Sequence, residues 1–177
     1  MNPQEENFLK EAKNPTLREF QALALEHLND LYRYAVSLTR NPSDAEDLVQ
    51  ETVLKAFRSF DQFERGSNIK GWLFTILRNT FLNAYRKQKN TPMQIPLEQI
   101  ENFSLYAKIR PLAPTEAFDE SKLEEVFGDE ISEALNTLPD EFREVILLCE
   151  IHEFSYQKIA EITNVPIGTV RSRLARG

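Results

Sequence analysis

The amino-acid sequence predicts an all-α protein with two small helical domains joined by a flexible acidic linker. Apolar residues recur with helical spacing in two separate stretches of the 177-residue chain, and a helix-turn-helix pattern closes the second stretch. Between these stretches, residues 91–141 contain twelve acidic residues, three basic residues and five prolines. Such a composition is typical of a connecting segment. The predicted parts are an N-terminal extension at 1–19, a first domain at 20–90, a linker at 91–126 and a second domain at 127–177.

Three helices are predicted in the first domain. The first covers residues 20–40 and ends at Asn41, because the residue before a proline disfavours helical backbone. The second begins with a capping box, in which Ser43 is the N-cap and Glu46 the third helical residue. Its predicted buried stripe consists of Ala45, Leu48, Thr52, Ala56 and Phe60. The third helix lies within residues 71–90, and its apolar stripe consists of Trp72, Leu73, Ile76, Leu77, Thr80, Phe81 and Ala84.

The start of the second helix carries a cluster of acidic and amide side chains, namely Asp44, Glu46, Asp47, Gln50 and Glu51. One interpretation is that first-turn carboxylates complement the helix dipole, which stabilises a helix by about 0.3–1 kcal/mol per charge. This explains Gln50 and Glu51 poorly, because the dipole effect fades within one turn. The alternative is an acidic face that binds a basic partner helix, and the residues alone leave both interpretations open.

The loop at 61–70 and the third helix indicate chemistry suited to opened DNA. Residues 71–90 include four basic residues and no acidic one. The helix dipole favours basic residues near a C-terminus, but it does not explain Asn79 and Asn83, which lie one turn apart. An asparagine side chain can make paired hydrogen bonds with a base edge, and an aromatic ring such as that of Phe63 can stack on an unpaired base.

A helix-turn-helix pattern ends the sequence. Ser155 is predicted to cap a short helix that buries Ile159 and Ile162. A second helix starts near Pro166, and its buried stripe is Ile167, Val170 and Leu174. Its opposite side would present Gly168, Thr169, Ser172 and Arg176 to base edges, with Arg171 and Arg173 flanking them toward phosphates. The alternative is an ordinary packed helix pair with solvated arginines.

Charge and cysteine usage narrow the classes of function. The net charge is −7, so the acid-free terminal helix with its three arginines marks where a polyanion could dock. Cys149 lies in an apolar run, which favours a buried structural thiol over a redox sensor. His27 and His152 lack the neighbours that a metal site needs, and no glycine-rich phosphate loop or nucleophile elbow occurs. We therefore expect no catalytic residue, metal or cofactor. Without a long apolar run or a signal peptide, we expect no membrane insertion and a cytoplasmic location.

Four motifs in order resemble the extracytoplasmic-function (ECF) sigma factors, the two-domain members of the bacterial sigma-70 family. They are NPSDAEDLVQET at 41–52, GWLFTILRNTFLN at 71–83, LPDEFR at 138–143 and PIGTVRSRL at 166–174. The resemblance covers about residues 20–90 and 127–177. It implies an alternative sigma factor, with a sigma-2 and a sigma-4 domain, that binds core RNA polymerase and directs promoter recognition and DNA melting in a stress response.

The resemblance also implies a role for each surface. The acidic helix would bind a coiled coil of the largest polymerase subunits through Asp44, Asp47, Leu48, Gln50 and Glu51. The loop would hold a base flipped from the non-template strand, and the minus-ten contacts would come from Phe63, Arg65, Ser67, Asn68, Lys70, Arg78, Asn79, Asn83, Arg86 and Lys87. The minus-35 element would be bound in the major groove by Gly168, Thr169, Arg171, Ser172, Arg173 and Arg176. The acidic linker would run near the polymerase's active-site channel.

A narrower resemblance, at residues 62–63, 66–72 and 78–87, is to the subgroup regulated by zinc-containing, redox-sensing anti-sigma factors. The implied partners are therefore core RNA polymerase, promoter DNA and an anti-sigma factor. Family members usually continue the recognition helix beyond the point where this sequence ends, at Gly177, so the second domain is expected to be either truncated or unusual at its terminus. The alternatives are a free-standing helix-turn-helix regulator of duplex operators and an adaptor that binds proteins alone.

Overall fold

The computed structural model describes residues 15–90, 134–135 and 137–177. Within these ranges all regular elements are helical, which confirms the all-α fold class with two helical domains. The first domain contains α1 (Pro15–Ala24), a 3-10 turn (Leu25–His27), α2 (Leu28–Thr39), α3 (Pro42–Arg58), a second 3-10 turn (Phe60–Gln62) and α4 (Ile69–Asn90). The second contains α5 (Asp140–Ile146), a π-helical turn (Leu147–Ile151), α6 (Tyr156–Thr163) and α7 (Ile167–Arg176). The predicted linker at 91–126 lies outside the described residues.

The helix predicted over residues 20–40 is divided in two. The 3-10 turn Leu25–His27 separates α1 from α2, and α1 already begins at Pro15, inside the predicted N-terminal extension. Phe20, Ala24 and Leu28 are all buried and stay four residues apart across the break. Because the apolar period continues through the turn, spacing alone does not reveal it.

The predicted cap of α3 is wrong. Asn41 is the N-cap, and its side-chain oxygen accepts hydrogen bonds from the N–H groups of Ser43 (2.9 Å) and Asp44 (3.2 Å). Pro42 occupies the first helical position, where its fixed φ and missing N–H suit the helix start. This places the cap two residues before the predicted capping box of Ser43 and Glu46.

α2, α3 and α4 pack side by side around an apolar core. The predicted stripe of α3 is confirmed, because Ala45, Leu48, Thr52 and Ala56 are buried, as is Phe60 in the following turn. The stripe predicted for α4 is correct for Leu73, Leu77 and Thr80 but wrong for Ala84, which is exposed. The stripe also omitted Phe74, which is fully buried. None of the helices in the described ranges is both long and apolar enough to cross a bilayer.

The second domain has the predicted helix-turn-helix order. The hydroxyl of Ser155 accepts a hydrogen bond from the N–H of Lys158 (3.3 Å), so the predicted cap of α6 is confirmed. Asn164 ends α6 in a left-handed conformation with φ 52°. Val170 is fully buried, while Ile167 and Leu174 of the same predicted stripe are half-buried.

The pKa of the half-buried Cys149 thiol is raised, mainly by burial and also by Glu150, which favours the protonated thiol.

The two domains pack against each other. α6 lies along α4, and α5 reaches the end of α2. On the α2 side, the Arg143 guanidinium donates to the Ser37 carbonyl (3.0 Å), and Arg40 pairs with Asp140 (2.7 Å). The described residues therefore form a closed arrangement in which the second domain covers part of α4.

Candidate functional site

A groove of about 490 Å³ lies between the end of α2, the first half of α3 and the end of α4. We call it the acidic groove; its lining residues are Leu38, Thr39, Asp44, Asp47, Leu48, Glu51, Phe81, Ala84 and Tyr85. Among the described residues that line it, three are carboxylates, none is basic, and most of the others are apolar. This combination fits a partner helix that carries both basic and apolar side chains.

The acidic groove brings together four of the five residues predicted to bind core polymerase. Asp44 and Asp47 are exposed at its edge, and Leu48 is buried beneath them. Glu51 forms a salt bridge with Lys55 one turn later (2.6 Å), which offsets part of its charge. Gln50, the fifth predicted residue, is half-buried and does not line the groove. Within the part of the chain that the structure describes, Asp44 and Asp47 are therefore the groove carboxylates outside a salt bridge, and they lie next to apolar surface.

The loop between the second 3-10 turn and α4 contains four predicted minus-ten contacts. Arg65 is about half exposed, pairs with Glu19 of α1 (3.2 Å) and lies over the Phe60 ring (4.9 Å). Ser67 is exposed. The side-chain oxygen of Asn68 accepts a hydrogen bond from the N–H of Gly71 (2.8 Å), so this side chain holds the start of α4. Arg65 and Ser67 are thus the predicted loop contacts that are exposed and do not hold the start of α4, and Arg65 is paired with Glu19.

The predicted stacking of Phe63 on an unpaired base is wrong for this structure. The Phe63 side chain is 4% exposed, and its ring centroid lies 5.7 Å from that of Phe60 and 5.1 Å from that of Trp72. The 3-10 turn directs the ring into the bundle, where it completes an aromatic cluster. Its face is therefore not available to a base.

α4 carries its predicted DNA contacts on two different sides. Lys70 forms a salt bridge with Asp30 (2.9 Å) and donates to the carbonyl of His152 in the second domain (3.2 Å). Arg78 likewise faces the second domain. In contrast, Asn79 and Asn83 are exposed. The backbone at Arg86 and Lys87 is helical, and their side chains lie outside the described part of the chain.

Arg78 is engaged by a buried acid of the second domain. Its Nε lies 2.7 Å from one carboxylate oxygen of Glu144, and its terminal nitrogen lies 3.3 Å from the other. Burial lowers the pKa of Arg78, but the hydrogen bond and charge of Glu144 outweigh it, so the net shift is upward. The Tyr34 hydroxyl donates to the same carboxylate at 2.7 Å. Burial and the Glu144 charge raise the pKa of Tyr34 well above its usual value, so the phenol stays protonated.

α7 presents most of its predicted DNA face to solvent. Gly168, Arg171, Ser172 and Arg176 are exposed, and Thr169 is half-buried. Arg173 differs from the other two arginines, because its guanidinium pairs with Glu141 of α5 at 3.0 Å and is largely buried. Arg173 therefore supports the packing of α7 on α5 in this structure.

Sequence reasoning missed the contact between Glu144, Tyr34 and Arg78. An acid followed directly by the apolar run Val145–Leu148 was a usable signal, since an acidic residue in such a run needs a buried partner. The sequence does not indicate which residue that partner is, because Tyr34 and Glu144 are 110 positions apart.

Comparisons with known proteins agree with these elements. Two family models match the chain: Sigma-70 region 2 over residues 23–91 and Sigma-70 region 4 over residues 128–177. The chain is 38% identical over 146 residues to the ECF RNA polymerase sigma factor EcfG of Rhodopseudomonas palustris, a match covering 82% of this chain and 74% of that protein. It is 36% identical over 155 residues to SigE of Mycolicibacterium smegmatis, which covers 88% of this chain but 57% of that protein.

Two solved structures share the fold of this chain. The sigma factor RpoE of Bartonella quintana, determined in complex with the anti-sigma factor NepR, matches with a TM-score of 0.62 and 32% identity, over 90% of this chain and 91% of that one. CnrH, determined with the cytosolic domain of CnrY, matches in fold with a TM-score of 0.59 and 22% identity, over 96% of this chain and 88% of that one. Because both region models match and EcfG is 38% identical over most of both chains, this chain belongs to the ECF sigma factors of the sigma-70 family.

Proposed function

We propose that this chain is an alternative sigma factor that binds core RNA polymerase in the cytoplasm and directs promoter recognition and DNA melting in a stress response. The observation that carries the proposal is the presence, in one chain, of the acidic groove, the exposed amide pair of α4 and the exposed arginine face of α7. A free-standing regulator of duplex DNA needs the last of these surfaces but has no use for the other two.

The proposed division of labour follows the two domains. The first, at 20–90, would bind polymerase and the minus-ten element, and the second, at 127–177, would bind the minus-35 element. The linker at 91–126 would connect them, and residues 1–19 precede the first domain. Region 2 and region 4 matches at 23–91 and 128–177 support this division.

The acidic groove is the proposed polymerase contact. Its carboxylates would pair with basic residues of a partner helix, while Leu48 and Phe81 would take up apolar ones. Charge complementarity of this kind raises the rate of association and selects the partner.

Promoter melting is assigned to α4 and the loop before it. A flipped base costs a few kcal/mol to unstack, and a site that accepts certain bases turns that cost into selectivity. Asn79 and Asn83 would bind base edges, and Arg65 and Ser67 would contact the displaced strand. The phosphates of the DNA backbone would be contacted by the basic side chains of Lys70, Arg78, Arg86 and Lys87.

The minus-35 element is assigned to α7. Arg171, Ser172 and Arg176 are the exposed side chains that can enter a major groove, with Thr169 and the Gly168 backbone beside them. Because affinity for duplex DNA comes largely from phosphate contacts and the chain has net charge −7, binding by the chain alone should be weak and strongly salt-dependent.

An anti-sigma factor is the proposed regulator. The Bartonella quintana relative was determined in complex with one, which supports a similar partner here. Membership of the subgroup with zinc-containing, redox-sensing partners stays a prediction, because it depends on short motifs around the loop and α4. Under that prediction the redox sensor would lie on the partner.

Transcription by reconstituted holoenzyme tests the proposal. Core polymerase plus this chain should initiate at a genomic promoter that core alone ignores, as measured by run-off transcription. Asp47→Lys should reduce both transcription and co-migration with core by at least tenfold, because it places a positive charge in the acidic groove.

The matched control for this test is Glu46→Lys. Glu46 is exposed on the same helix, does not line the acidic groove and undergoes the same change of charge. Transcription at the wild-type level with Glu46→Lys and loss with Asp47→Lys would support the polymerase contact. Equal transcription by the two variants would contradict the proposed polymerase contact at the acidic groove. A chain that ignores core polymerase but binds duplex operators tightly would instead be a free-standing regulator.

A further inference from the structure

Lys55 joins α3 to α4 at one end of the acidic groove. Its ammonium nitrogen lies 2.6 Å from a carboxylate oxygen of Glu51 and donates to the hydroxyl oxygen of Thr80 on α4 (3.3 Å). Glu51 lines the groove, and Thr80 directly precedes Phe81, which lines it from the other helix. Lys55 therefore bridges the two helices that form this part of the groove.

The Lys55 ammonium is held in place and can still be displaced. Thr80 is β-branched and buried, so the hydroxyl that accepts from Lys55 has a fixed position. Glu51 precedes Lys55 by four residues, which is the favourable order for a glutamate–lysine pair on a helix. The side chains of Lys55 and Glu51 are 43% and 47% exposed. Because exposed ion pairs are weak, a competing cation can take the place of Lys55 at Glu51.

The carboxylates of the acidic groove are consequently not equivalent. Asp44 and Asp47 are exposed near the start of α3, whereas the charge of Glu51 is offset by Lys55. Asp44 and Glu51 are seven residues apart, which corresponds to about 10 Å along a helix. A partner helix can place basic residues at the two aspartates without meeting Lys55. A basic residue opposite Glu51, in contrast, is repelled by the Lys55 ammonium until it displaces that ammonium.

Thr80 makes this displacement easier. When a partner cation takes over the Glu51 carboxylate, the Lys55 ammonium keeps the Thr80 hydroxyl as an acceptor and turns its other N–H groups to water. The charge of Lys55 is half-exposed, so it stays hydrated after the exchange. The exchange of cations at Glu51 therefore leaves neither charged group buried without a partner.

We propose that Lys55 is a positioning residue of the acidic groove, which masks Glu51 in the free chain and gives it up to a basic residue of the polymerase helix on docking. The inference rests on the proposed function, because it takes the groove as the polymerase contact. Masking lowers the affinity of the groove for basic helices in general. It also makes the groove selective, because a partner gains Glu51 when its own cation displaces Lys55.

A double-mutant cycle tests the masking. The full chain, labelled at its N-terminus, is titrated with core RNA polymerase, and binding is followed by fluorescence anisotropy. Lys55→Met should raise the affinity by roughly two- to fivefold, because Glu51 is then free for the partner. Glu51→Gln alone should lower the affinity by less than about twofold, since the partner gains Glu51 only by displacing Lys55. The double variant should match Glu51→Gln, because the gain from Lys55→Met requires the Glu51 carboxylate.

Two control variants separate masking from the change in net charge. Arg58→Gln removes an exposed positive charge from the last turn of the same helix and should change the affinity by less than about 1.5-fold. Lys55→Arg retains the charge next to Glu51 and should keep the wild-type affinity. If Lys55→Met does not fold by circular dichroism, Lys55→Gln replaces it in the cycle with the same expected results.

Unchanged affinity after the loss of the Lys55 charge would overturn the masking. An equal gain with and without Glu51, or an equal gain from Arg58→Gln, would also overturn it, because each would show a long-range effect of net charge. The same cycle with a synthetic amphipathic helix of lysine and leucine measures the masking without polymerase. A chain that ignores core polymerase but completes the cycle with this peptide would contradict the proposed function and support the masking of Glu51.

Discussion

Phe63 stabilises the first domain from within a loop whose neighbouring side chains are exposed. Its ring fills the space between Phe60 and Trp72, and the cluster continues through Phe60 to Phe20. Arg65, two residues later, lies over the outer face of the same cluster. The rigidity of the loop therefore depends on apolar packing beneath it, and DNA contacts from the loop would depend on that packing indirectly.

Replacing Phe63 should therefore cost stability. Phe63→Ala removes the ring and leaves a cavity, so we expect the free energy of unfolding to fall by about 3–5 kcal/mol, measured by urea denaturation. The control is Tyr156→Ala, whose side chain is 43% exposed and should cost less than about 1 kcal/mol. A Phe63→Ala variant with wild-type stability but weakened binding of single-stranded DNA would show that the ring serves DNA instead.

For single residues, the sequence predicts burial well on helices and predicts the directions of loop side chains poorly. Ile159 and Ile162 were predicted correctly because a helix fixes the direction of every side chain. Phe63 lies in a loop, where no period indicates whether an aromatic ring points inward or outward. Arg173 lies on a helix, but the acid that pairs with it, Glu141, belongs to a different helix.

The start of α3 shows how one element is fixed by its first residues. Asn41 satisfies two backbone N–H groups at the helix start, and Pro42 follows without an N–H of its own. The cap holds the turn that exposes Asp44 and Asp47 at the acidic groove. Its loss would therefore loosen the part of the helix that carries the proposed polymerase contact.

We expect Asn41→Ala to lower the free energy of unfolding by about 1 kcal/mol, because two N–H groups lose their acceptor. Ser43→Ala is the matched control and should change stability by less than about 0.5 kcal/mol, since Ser43 contributes its backbone N–H to this cap. Thermal unfolding followed by circular dichroism measures both. The reverse order of effects would restore Ser43 as the cap.

Whole helices could be predicted where the apolar spacing persists over many residues and where capping residues or prolines mark the helix ends. The helices around 42–58 and 156–176 follow from apolar spacing and from the positions of Ser155 and Pro166. The 3-10 turn Leu25–His27 and the π-helical turn Leu147–Ile151 were not predicted, because neither interrupts the run of apolar residues. A change in the hydrogen-bonding pattern of the backbone leaves little trace in the sequence.

Closure of the whole molecule buries His152 between the domains. Its ring packs on Phe74, and its Nδ1 lies 3.9 Å from an Asp30 carboxylate oxygen, near Lys70. Burial lowers the pKa of His152 to about 4; Lys70 and Arg33 act in the same direction, while Asp30 opposes them. The closed structure therefore holds the imidazole in its neutral form.

This burial predicts a loss of stability in mild acid. In the unfolded chain, His152 becomes protonated below the ordinary histidine pKa of about 6.5. In the folded chain, it becomes protonated only near pH 4. Stability should consequently fall as the pH drops from about 6.5 toward 4, by up to about 3 kcal/mol, and should be unaffected by this group above pH 7. Urea denaturation at pH 7, 6, 5 and 4.5 measures the change.

His152→Gln should remove most of this component of the pH dependence. His27→Gln is the control, because His27 is partly exposed and Glu26 opposes the lowering of its pKa by burial. That variant should retain the steep fall below pH 6.5. If the two variants lose the same amount of pH dependence, the burial of His152 between the domains is not its source.

The packing of the two domains was the part of the molecule least accessible from the sequence. Each domain could be inferred from its own periodic helices, but the Tyr34–Glu144 contact joins positions 110 residues apart without any pattern linking them. Gly71 gave no signal either, although its missing side chain lets Lys158 of α6 approach α4 closely. Contacts of this kind depend on the complementary shapes of two finished surfaces.

The separate sides of α4 have an evolutionary consequence. The residues of α4 that contact the second domain and those proposed to select bases belong to one helix but lie on different sides of it. Under the proposed function, substitutions at 79 and 83 would change which bases α4 selects and would leave the contacts between α4 and the second domain in place. Duplicated copies of this chain can therefore differ at 79 and 83 and still retain the packing of the two domains.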